Sequence, residues 1–252
     1  MATTSLVNPW LPYGPPKHAA RLRLFCFHHA GGSASVFHPW LAKVHSAIEI
    51  CPIQLPGRER RFLEKPISSL TTLLPLLEEA LLPYLDGPFA FFGHSMGVLL
   101  CFELARSLRR QHGLEPEHLF LSAFAEVQEP RLPALHTLSD EQFIEQFQQR
   151  FQGLPAVVLE DQKALEYYLA ILRADFTLTE TYRYSVDQPF ACPITALGGL
   201  QDRGVKRGSL AAWRQHTEKR FLLRMFPGGH NYLQSEPEAV LTYITQALLK
   251  AR

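Results

Sequence analysis

The stretch PFAFFGHSMGV, residues 88–98, places one serine between two glycines directly after an apolar run. It matches the pattern Gly-x-Ser-x-Gly over residues 93–97. Where a strand turns sharply into a helix, this pattern holds the serine in strained backbone geometry, and only small neighbours leave room for the turn. Ser95 is therefore either an exposed nucleophile or a serine in an ordinary tight turn.

The sequence on each side of Ser95 favours the nucleophile. The apolar residues before it predict a strand, and residues 96–113 carry apolar side chains at helical spacing up to Gly113, which is typical of a helix C-terminal cap. A helix that begins just after Ser95 places partly positive backbone N–H groups near the serine oxygen. The context is thus the strand–turn–helix unit that the pattern requires.

Strand-like and helix-like segments alternate along most of the chain. Strands are predicted at 21–27, 48–55, 88–95, 118–125, 192–199 and 220–226, and helices at 36–45, 69–85, 96–113, 208–217 and 236–251. A serine or threonine cap is predicted to open the helix at 69–85. Strands that alternate with helices indicate an α/β protein whose mostly parallel central sheet is flanked by helices on both faces.

The texture changes over residues 130–187, where Gln, Glu, Phe and Leu recur at helical period without a convincing strand. We predict a helical lid insertion there, within one domain that spans residues 1–252. Its apolar side chains could each belong to an ordinary helical core, but together they predict a cover over a channel for an acyl chain. They are Phe143, Phe147, Phe151, Leu154, Tyr167, Tyr168, Leu169 and Leu172.

Composition excludes several classes of protein. Hydrophobic residues make up 46% of the 252 residues and charged residues 19%, which indicates a globular chain. Lys plus Arg (25) nearly balances Asp plus Glu (24), so no overall field attracts nucleic acid or an anionic membrane, and no apolar run is long enough to span a bilayer. We expect a cytoplasmic monomer. The four cysteines stand singly and are expected to be reduced and buried: Cys26, Cys51, Cys101 and Cys192.

A serine hydroxyl needs a histidine base, and in a strand–turn–helix hydrolase the base follows the acid in the chain. Three histidines come after the start of the insertion: His136, His216 and His230. His216 lies in a helical pattern and is expected to face solvent, and His136 would have to reach across from the lid. His230 follows the last predicted strand in the glycine-rich loop FPGGH, so we predict that it is the base.

Asp202 is the predicted acid, since its loop follows a predicted strand, where open parallel sheets gather their active sites. A competing interpretation is that Asp202 only caps the turn before residues 203–205. Three other aspartates belong to the insertion or its exit, and we expect them on solvated helix faces or in turns: Asp161, Asp175 and Asp187.

Acyl transfer also needs donors for the oxyanion. We predict the backbone N–H groups of Met96, after the nucleophile, and of Ala30, in the loop HHAGG, where two glycines let the backbone approach closely. The adjacent His28 and His29 could suggest zinc, but no third cluster of ligands accompanies them. We therefore expect loop-shaping histidines and no metal.

Six segments in order carry a family resemblance over nearly the whole chain: RLRLFCFHHAGGSAS, IQLPGRERR, FFGHSMG, LRADFTLTETYRY, CPITALGGLQD and FPGGHNYL. The chain resembles the type II thioesterases of the α/β-hydrolase superfamily, the discrete editing enzymes that accompany polyketide synthases and nonribosomal peptide synthetases in antibiotic and other secondary-metabolite biosynthesis. Residue by residue, the resemblance implies a Ser95, Asp202 and His230 triad, with LRADF marking the end of the lid. One departure is His28, where many members have proline.

The resemblance also implies a substrate, an acyl or aminoacyl thioester on the phosphopantetheine arm of a carrier protein, with no bound cofactor. The partners would be carrier domains of a synthase, and the role would be removal of aberrant or stalled groups. Two alternatives remain at this point. One is a small-molecule carboxylesterase or lipase with the same triad, and the other is a non-catalytic hydrolase-fold protein that binds carrier domains or acyl ligands.

Overall fold

A six-stranded parallel sheet forms the centre of the molecule. The computed structural model describes residues 8–16, 21–129, 133–151, 154 and 156–250. The strands are β1 (Leu22–Phe27), β2 (Ile48–Pro52), β3 (Phe89–His94), β4 (Leu119–Ser122), β5 (Ile194–Gly199) and β6 (Phe221–Phe226). Their order is β2-β1-β3-β4-β5-β6, and every neighbouring pair is parallel. The predicted α/β architecture with helices around a parallel sheet is confirmed.

Except for two that follow β6, the helices lie between the strands along the chain. They are α1 (His38–Leu41), α2 (Leu70–Leu81), α3 (Met96–His112), α4 (Asp140–Phe151), α5 (Ala156–Glu160), α6 (Gln162–Thr181), α7 (Arg207–Ala211), α8 (Tyr232–Ser235) and α9 (Pro237–Lys250). Within the described ranges, every helix is too short or too polar to cross a bilayer.

Some helices differ from the sequence-based boundaries. The helix predicted at 36–45 is only one turn long (His38–Leu41), and a 3-10 turn over Ala34–Phe37 precedes it. The helix predicted at 208–217 is α7 followed by a 3-10 turn. The short helix α8 follows the FPGGH loop and was not predicted.

Capping was predicted correctly at one helix and wrongly at another. Gly113 adopts a left-handed conformation (φ 66°) after α3, and its N–H donates to the Arg109 carbonyl, as expected for a C-terminal cap. Ser69 precedes α2, but its hydroxyl does not cap a helix N–H and instead lies 2.8 Å from the Thr71 hydroxyl. The prediction of a side-chain cap at α2 is therefore wrong.

The sheet separates two apolar layers because side chains alternate along each strand. In β1, Phe25 and Phe27 face the layer covered by α2 and α3, while Leu24 and Cys26 face the layer covered by α1 and α9. Burying each large apolar side chain contributes about 1.5–3 kcal/mol. The four cysteines are free and buried, as expected, and burial raises the pKa of the Cys26 thiol well above its ordinary value.

Helices α4, α5 and α6 lie between β4 and β5 in the chain, and no strand occurs among the described residues of this segment. An apolar cluster that includes Phe143, Phe147, Leu172 and Phe176 joins α4 to α6. Residues 130–132, 152–153 and 155, which belong to the predicted insertion at 130–187, lie outside the described residues. The lid role of the segment stays a prediction.

Candidate active site

Ser95 lies in the sharp turn between β3 and α3 with φ 53° and ψ −121°. A positive φ is rare for a residue other than glycine and indicates a strained backbone. The flanking glycines make the turn sterically feasible. A Cβ on Gly93 would lie 2.3 Å from the Gly97 carbonyl oxygen, and a Cβ on Gly97 would lie 2.1 Å from the Phe27 carbonyl oxygen. Real atoms do not approach so closely, so both positions require glycine.

The structure brings the three predicted triad side chains together. His230 Nε2 lies 3.0 Å from Ser95 Oγ, and His230 Nδ1 lies 2.9 Å from Asp202 Oδ2. Both distances are within hydrogen-bond reach. Asp202 Oδ1 also accepts the N–H groups of Gly204 (2.8 Å) and Val205 (3.1 Å). The two interpretations of Asp202 are thus compatible, because it caps its own turn and faces His230 with the other oxygen.

The carboxylate of Asp202 is stabilised in its charged form. Burial alone would raise its pKa, but the hydrogen bond and charge of His230 and the N–H groups of Gly204 and Val205 outweigh burial and lower the pKa below its ordinary value. An ionised Asp202 accepts a hydrogen bond from the Nδ1–H of His230, which leaves Nε2 as the acceptor that faces the Ser95 hydroxyl. This is the tautomer that a general base needs.

Two further histidines, His94 and His29, lie near the triad. The ring of His94 lies 5.7 Å from that of His230, and the ring of His29 lies 5.9 Å from that of His94. Burial, then the nearby His230, lowers the pKa of His94 well below its ordinary value and the pKa of His29 to about 4. Both rings are therefore neutral near pH 7, so neither adds a positive charge beside His230.

His94 was not singled out from the sequence, although it contacts the triad. It occupies the variable position before Ser95, and its Nδ1 lies 2.7 Å from the hydroxyl of Ser122, which also contacts the Tyr232 hydroxyl at 2.5 Å. The Ser95 N–H donates to the Ser122 carbonyl at 2.7 Å. These contacts anchor the turn to β4, and no local sequence signal marks them.

The loop after β1 carries the predicted oxyanion donor Ala30. Gly31 donates its N–H to Asp175 Oδ2 (2.8 Å), and Gly32 donates to the His29 carbonyl (3.0 Å). Ala30 lines the same cavity as Ser95 and Met96, and within the described part of the chain the N–H groups of Ala30 and Met96 donate to no acceptor. This pattern supports Ala30 and Met96 as oxyanion donors, which stays a prediction.

A cavity of about 460 Å³ opens above Ser95 and His230. The loops after the strands form its floor, and helices α4 and α6 supply aromatic side chains to its wall. These are Phe147, Phe151, Tyr168 and Phe176, with Leu154 beside them. The Phe151 ring packs edge-on against His230, with 5.2 Å between ring centroids. The cavity thus has an aromatic wall on the side of α4 and α6, and charged side chains line it as well: Glu126, Glu129, Arg150 and Glu180.

Two predictions about polar side chains are wrong. Asp175 was expected at a solvated helix face, but it is only 1% exposed and pairs with Arg58. His216 was also expected to face solvent, but it is 5% exposed, and its Nε2 lies 2.6 Å from Glu126 Oε1. In both cases the partner comes from a distant segment of the chain, which a local helical pattern does not reveal.

The other candidate residues from the sequence bond to groups outside the triad. His136 Nδ1 lies 2.6 Å from Glu180, and Asp161 caps α6 by accepting the N–H groups of Lys163 and Ala164. Among the described residues, no group of three or more His, Cys, Asp or Glu side chains could hold a metal ion. The buried His28 has Nδ1 2.8 Å from the His29 carbonyl oxygen, a contact within the loop that bears Ala30.

Comparison with known proteins identifies relatives along nearly the full chain. The family model described as a thioesterase domain matches residues 22–248. Gramicidin S biosynthesis protein GrsT from Aneurinibacillus migulanus is 41% identical over 252 residues, covering 98% of this chain and 97% of the relative.

Solved structures give the same result. RedJ, a thioesterase from the prodiginine pathway of Streptomyces coelicolor, is 34% identical with a TM-score of 0.85, covering 92% of each chain. The type II thioesterase BorB from the borrelidin biosynthetic cluster is 35% identical with a TM-score of 0.82, covering 93% of this chain and 95% of BorB.

Proposed function

The chain belongs to the thioesterase family and is a thioester hydrolase of the α/β-hydrolase fold, and from this premise we propose that it cleaves acyl or aminoacyl groups from the phosphopantetheine arm of carrier proteins. The observation that carries the proposal is the chain of contacts from Asp202 through His230 to Ser95 at the floor of a cavity with an aromatic wall. The carrier proteins would belong to a polyketide synthase or a nonribosomal peptide synthetase.

Acylation begins at Ser95. His230 Nε2 takes the hydroxyl proton as Oγ attacks the thioester carbonyl, and Asp202 stabilises the imidazolium that forms. The N–H groups of Ala30 and Met96 stabilise the negative oxygen of the tetrahedral intermediate, a contribution typically worth about 2.7–4 kcal/mol per donor. When the intermediate collapses, the C–S bond breaks and the pantetheine sulfur leaves as a thiol with the proton from His230.

Deacylation uses the same groups with water as the nucleophile. His230 removes a proton from a water molecule that attacks the acyl-Ser95 ester, and the proton then returns to Ser95 Oγ as the free acid departs. The full cycle consumes one thioester and one water and releases one carboxylic acid and one thiol. His230 carries the transferred proton in each half of the cycle, and Ser95 is regenerated.

An editing role fits this reaction. Hydrolysis frees a carrier arm that holds an aberrant or stalled group, and the relatives named above come from gramicidin S, prodiginine and borrelidin biosynthesis. The alternative of a small-molecule carboxylesterase or lipase has no comparable support. The reactive geometry around Ser95 likewise disfavours a purely binding protein.

Matched substrates test the proposal. One acyl group is presented as a carrier-bound thioester, as a free pantetheine thioester and as a simple oxygen ester, and kcat/KM is measured for each with wild type and Ser95→Ala. We expect the carrier thioester to be the best substrate and Ser95→Ala to lose turnover of all three. A preference for the oxygen ester would favour the carboxylesterase, and equal rates on carrier and free pantetheine would remove carrier recognition from the proposal.

A further inference from the structure

The loop that bears Ala30 is held by buried charged groups from two distant parts of the chain. We call residues 28–34 the oxyanion loop. The Gly31 N–H donates to Asp175 Oδ2 at 2.8 Å, and Asp175 belongs to helix α6. Arg58 grips the same carboxylate with two hydrogen bonds of 3.0 and 2.9 Å and donates weakly to the Gly32 carbonyl at 3.4 Å. Asp175 and Arg58 are 1% and 4% exposed.

The bond to Asp175 fixes the direction of the Gly31 N–H. Gly31 has φ 73°, and the peptide between Ala30 and Gly31 is oriented by the bond to Asp175. The next N–H, on Gly32, closes a turn onto the His29 carbonyl. The two peptides that follow Ala30 are therefore both held by hydrogen bonds, next to the predicted donor N–H of Ala30. A bidentate Arg–carboxylate pair adds geometric specificity, which suits it to hold a backbone donor in place.

Helix α6 contacts both the acyl cavity and the oxyanion loop. It contributes Tyr168 and Phe176 to the wall of the acyl cavity, and from the same helix Asp175 reaches the oxyanion loop. Leu172 of α6 also packs on this loop, since a Cβ on Gly31 would lie 2.6 Å from Leu172 Cδ2. The wall that meets the acyl chain and the loop that meets the carbonyl oxygen are therefore connected through Asp175.

We propose that Asp175, clamped by Arg58, is a positioning residue that sets the oxyanion hole by holding the Gly31 N–H, so that α6 and the oxyanion loop act as one unit. This proposal rests on the proposed serine hydrolase mechanism. It predicts that loss of the acceptor at position 175 slows the chemical step more than it weakens substrate binding, because misplacing a reacting group by about 1 Å costs about 100-fold in rate.

A buried ion pair can also serve stability alone, and the variants must separate the two roles. Removing one partner leaves an uncompensated buried charge, whereas replacing both partners together by uncharged groups is often nearly neutral. Two double variants meet this condition. Arg58→Met with Asp175→Asn keeps an amide oxygen that can accept the Gly31 N–H, and Arg58→Met with Asp175→Leu has a side chain of similar size without an acceptor.

The experiment measures kcat and KM on an acyl-pantetheine thioester, inhibition by the matching trifluoromethyl ketone, and the thermal unfolding midpoint. The ketone forms an oxyanion when Ser95 attacks it and so reports on the hole itself. We expect the Asn double variant to keep a larger share of the wild-type kcat and ketone affinity than the Leu double variant, because its amide oxygen can still accept the Gly31 N–H. The Leu double variant should lose about 10- to 100-fold in kcat and a similar factor in ketone affinity, with KM nearly unchanged.

Two results would overturn the proposal: equal kcat and ketone affinity in the two double variants, or a Leu variant impaired only in KM or thermal stability. If the Leu variant does not fold, Arg58→Met with Asp175→Ala removes the acceptor with a smaller side chain, and the same comparison applies. Ser95→Ala is assayed alongside. Turnover by Ser95→Ala would refute the serine mechanism itself, whereas an inactive Ser95→Ala with equal double variants would refute only the role of Asp175.

Discussion

At the scale of single residues, the site depends on positions where only one size of side chain fits. Ser95 is held in a strained turn, and the two glycines beside it pass within contact distance of backbone atoms. Gly97 is the more informative of the two, because the atoms nearest to it belong to Phe27 and His28, at the entrance to the oxyanion loop. A methyl group at position 97 would therefore press on the backbone that leads into the oxyanion loop.

We predict that Gly97→Ala lowers kcat by about 100-fold or more, although alanine is ordinarily better than glycine inside a helix. The added Cβ would lie 2.1 Å from the Phe27 carbonyl oxygen, so the turn or the loop has to move. The measurement is kcat and KM on an acyl-pantetheine thioester.

The matched control for this prediction is Gly208→Ala in helix α7, where an added Cβ meets no atom within 4 Å. This variant should keep wild-type kinetics. A Gly97→Ala enzyme with undiminished kcat would show that the turn tolerates displacement, and the steric account of the Gly-x-Ser-x-Gly pattern would be wrong.

At the scale of elements, charged groups fasten α3 to the chain that leads from α6 into β5. Asp187 Oδ2 lies 3.2 Å from Arg106 Nε, 3.2 Å from Arg109 Nη2 and 3.0 Å from Arg110 Nη1. Burial opposes ionisation, but the Gln188 N–H and the charges of Arg106 and Arg109 outweigh it and lower the pKa of Asp187 to about 2. Asp187 was expected at a solvated helix face or in a turn, and it lies in the non-helical connection after α6 with its side chain 21% exposed. The arginine partners were not predicted.

We predict that Asp187 makes folding stability depend on pH between about 4 and about 2. Its folded pKa lies below the ordinary value of 3.8, so the contribution is complete above that value and disappears as the pH falls through about 2. The measurement is the free energy of unfolding of wild type and Asp187→Asn against pH. The difference between them should be constant from pH 5 to 7 and shrink below pH 4.

Glu79→Gln, at an exposed position of α2, is the control and should show a much smaller pH-dependent difference. If the Asp187→Asn difference stays the same down to pH 2, the arginine cluster does not stabilise the ionised carboxylate in solution.

At the scale of the whole molecule, the sequence predicted the features that local pattern and chain order determine. Apolar runs predicted the six strands, and the required order of serine, acid and base led to Ser95, Asp202 and His230, which the structure places in contact. Outside the triad, the sequence did not predict side-chain pairs whose two members lie far apart in the chain. Arg58 and Asp175 are 117 positions apart, and the helical pattern around Asp175 does not indicate that an arginine pairs with it in the interior.

The measurement that tests the central claim most directly is rapid-quench mass spectrometry of the enzyme mixed with an acyl-pantetheine thioester. We predict a transient mass increase equal to the acyl group, located by peptide mapping on Ser95 and absent in Ser95→Ala, since the mechanism passes through an acyl-serine ester. Thioester turnover by Ser95→Ala at the wild-type rate, or an adduct on a residue other than Ser95, would contradict the account.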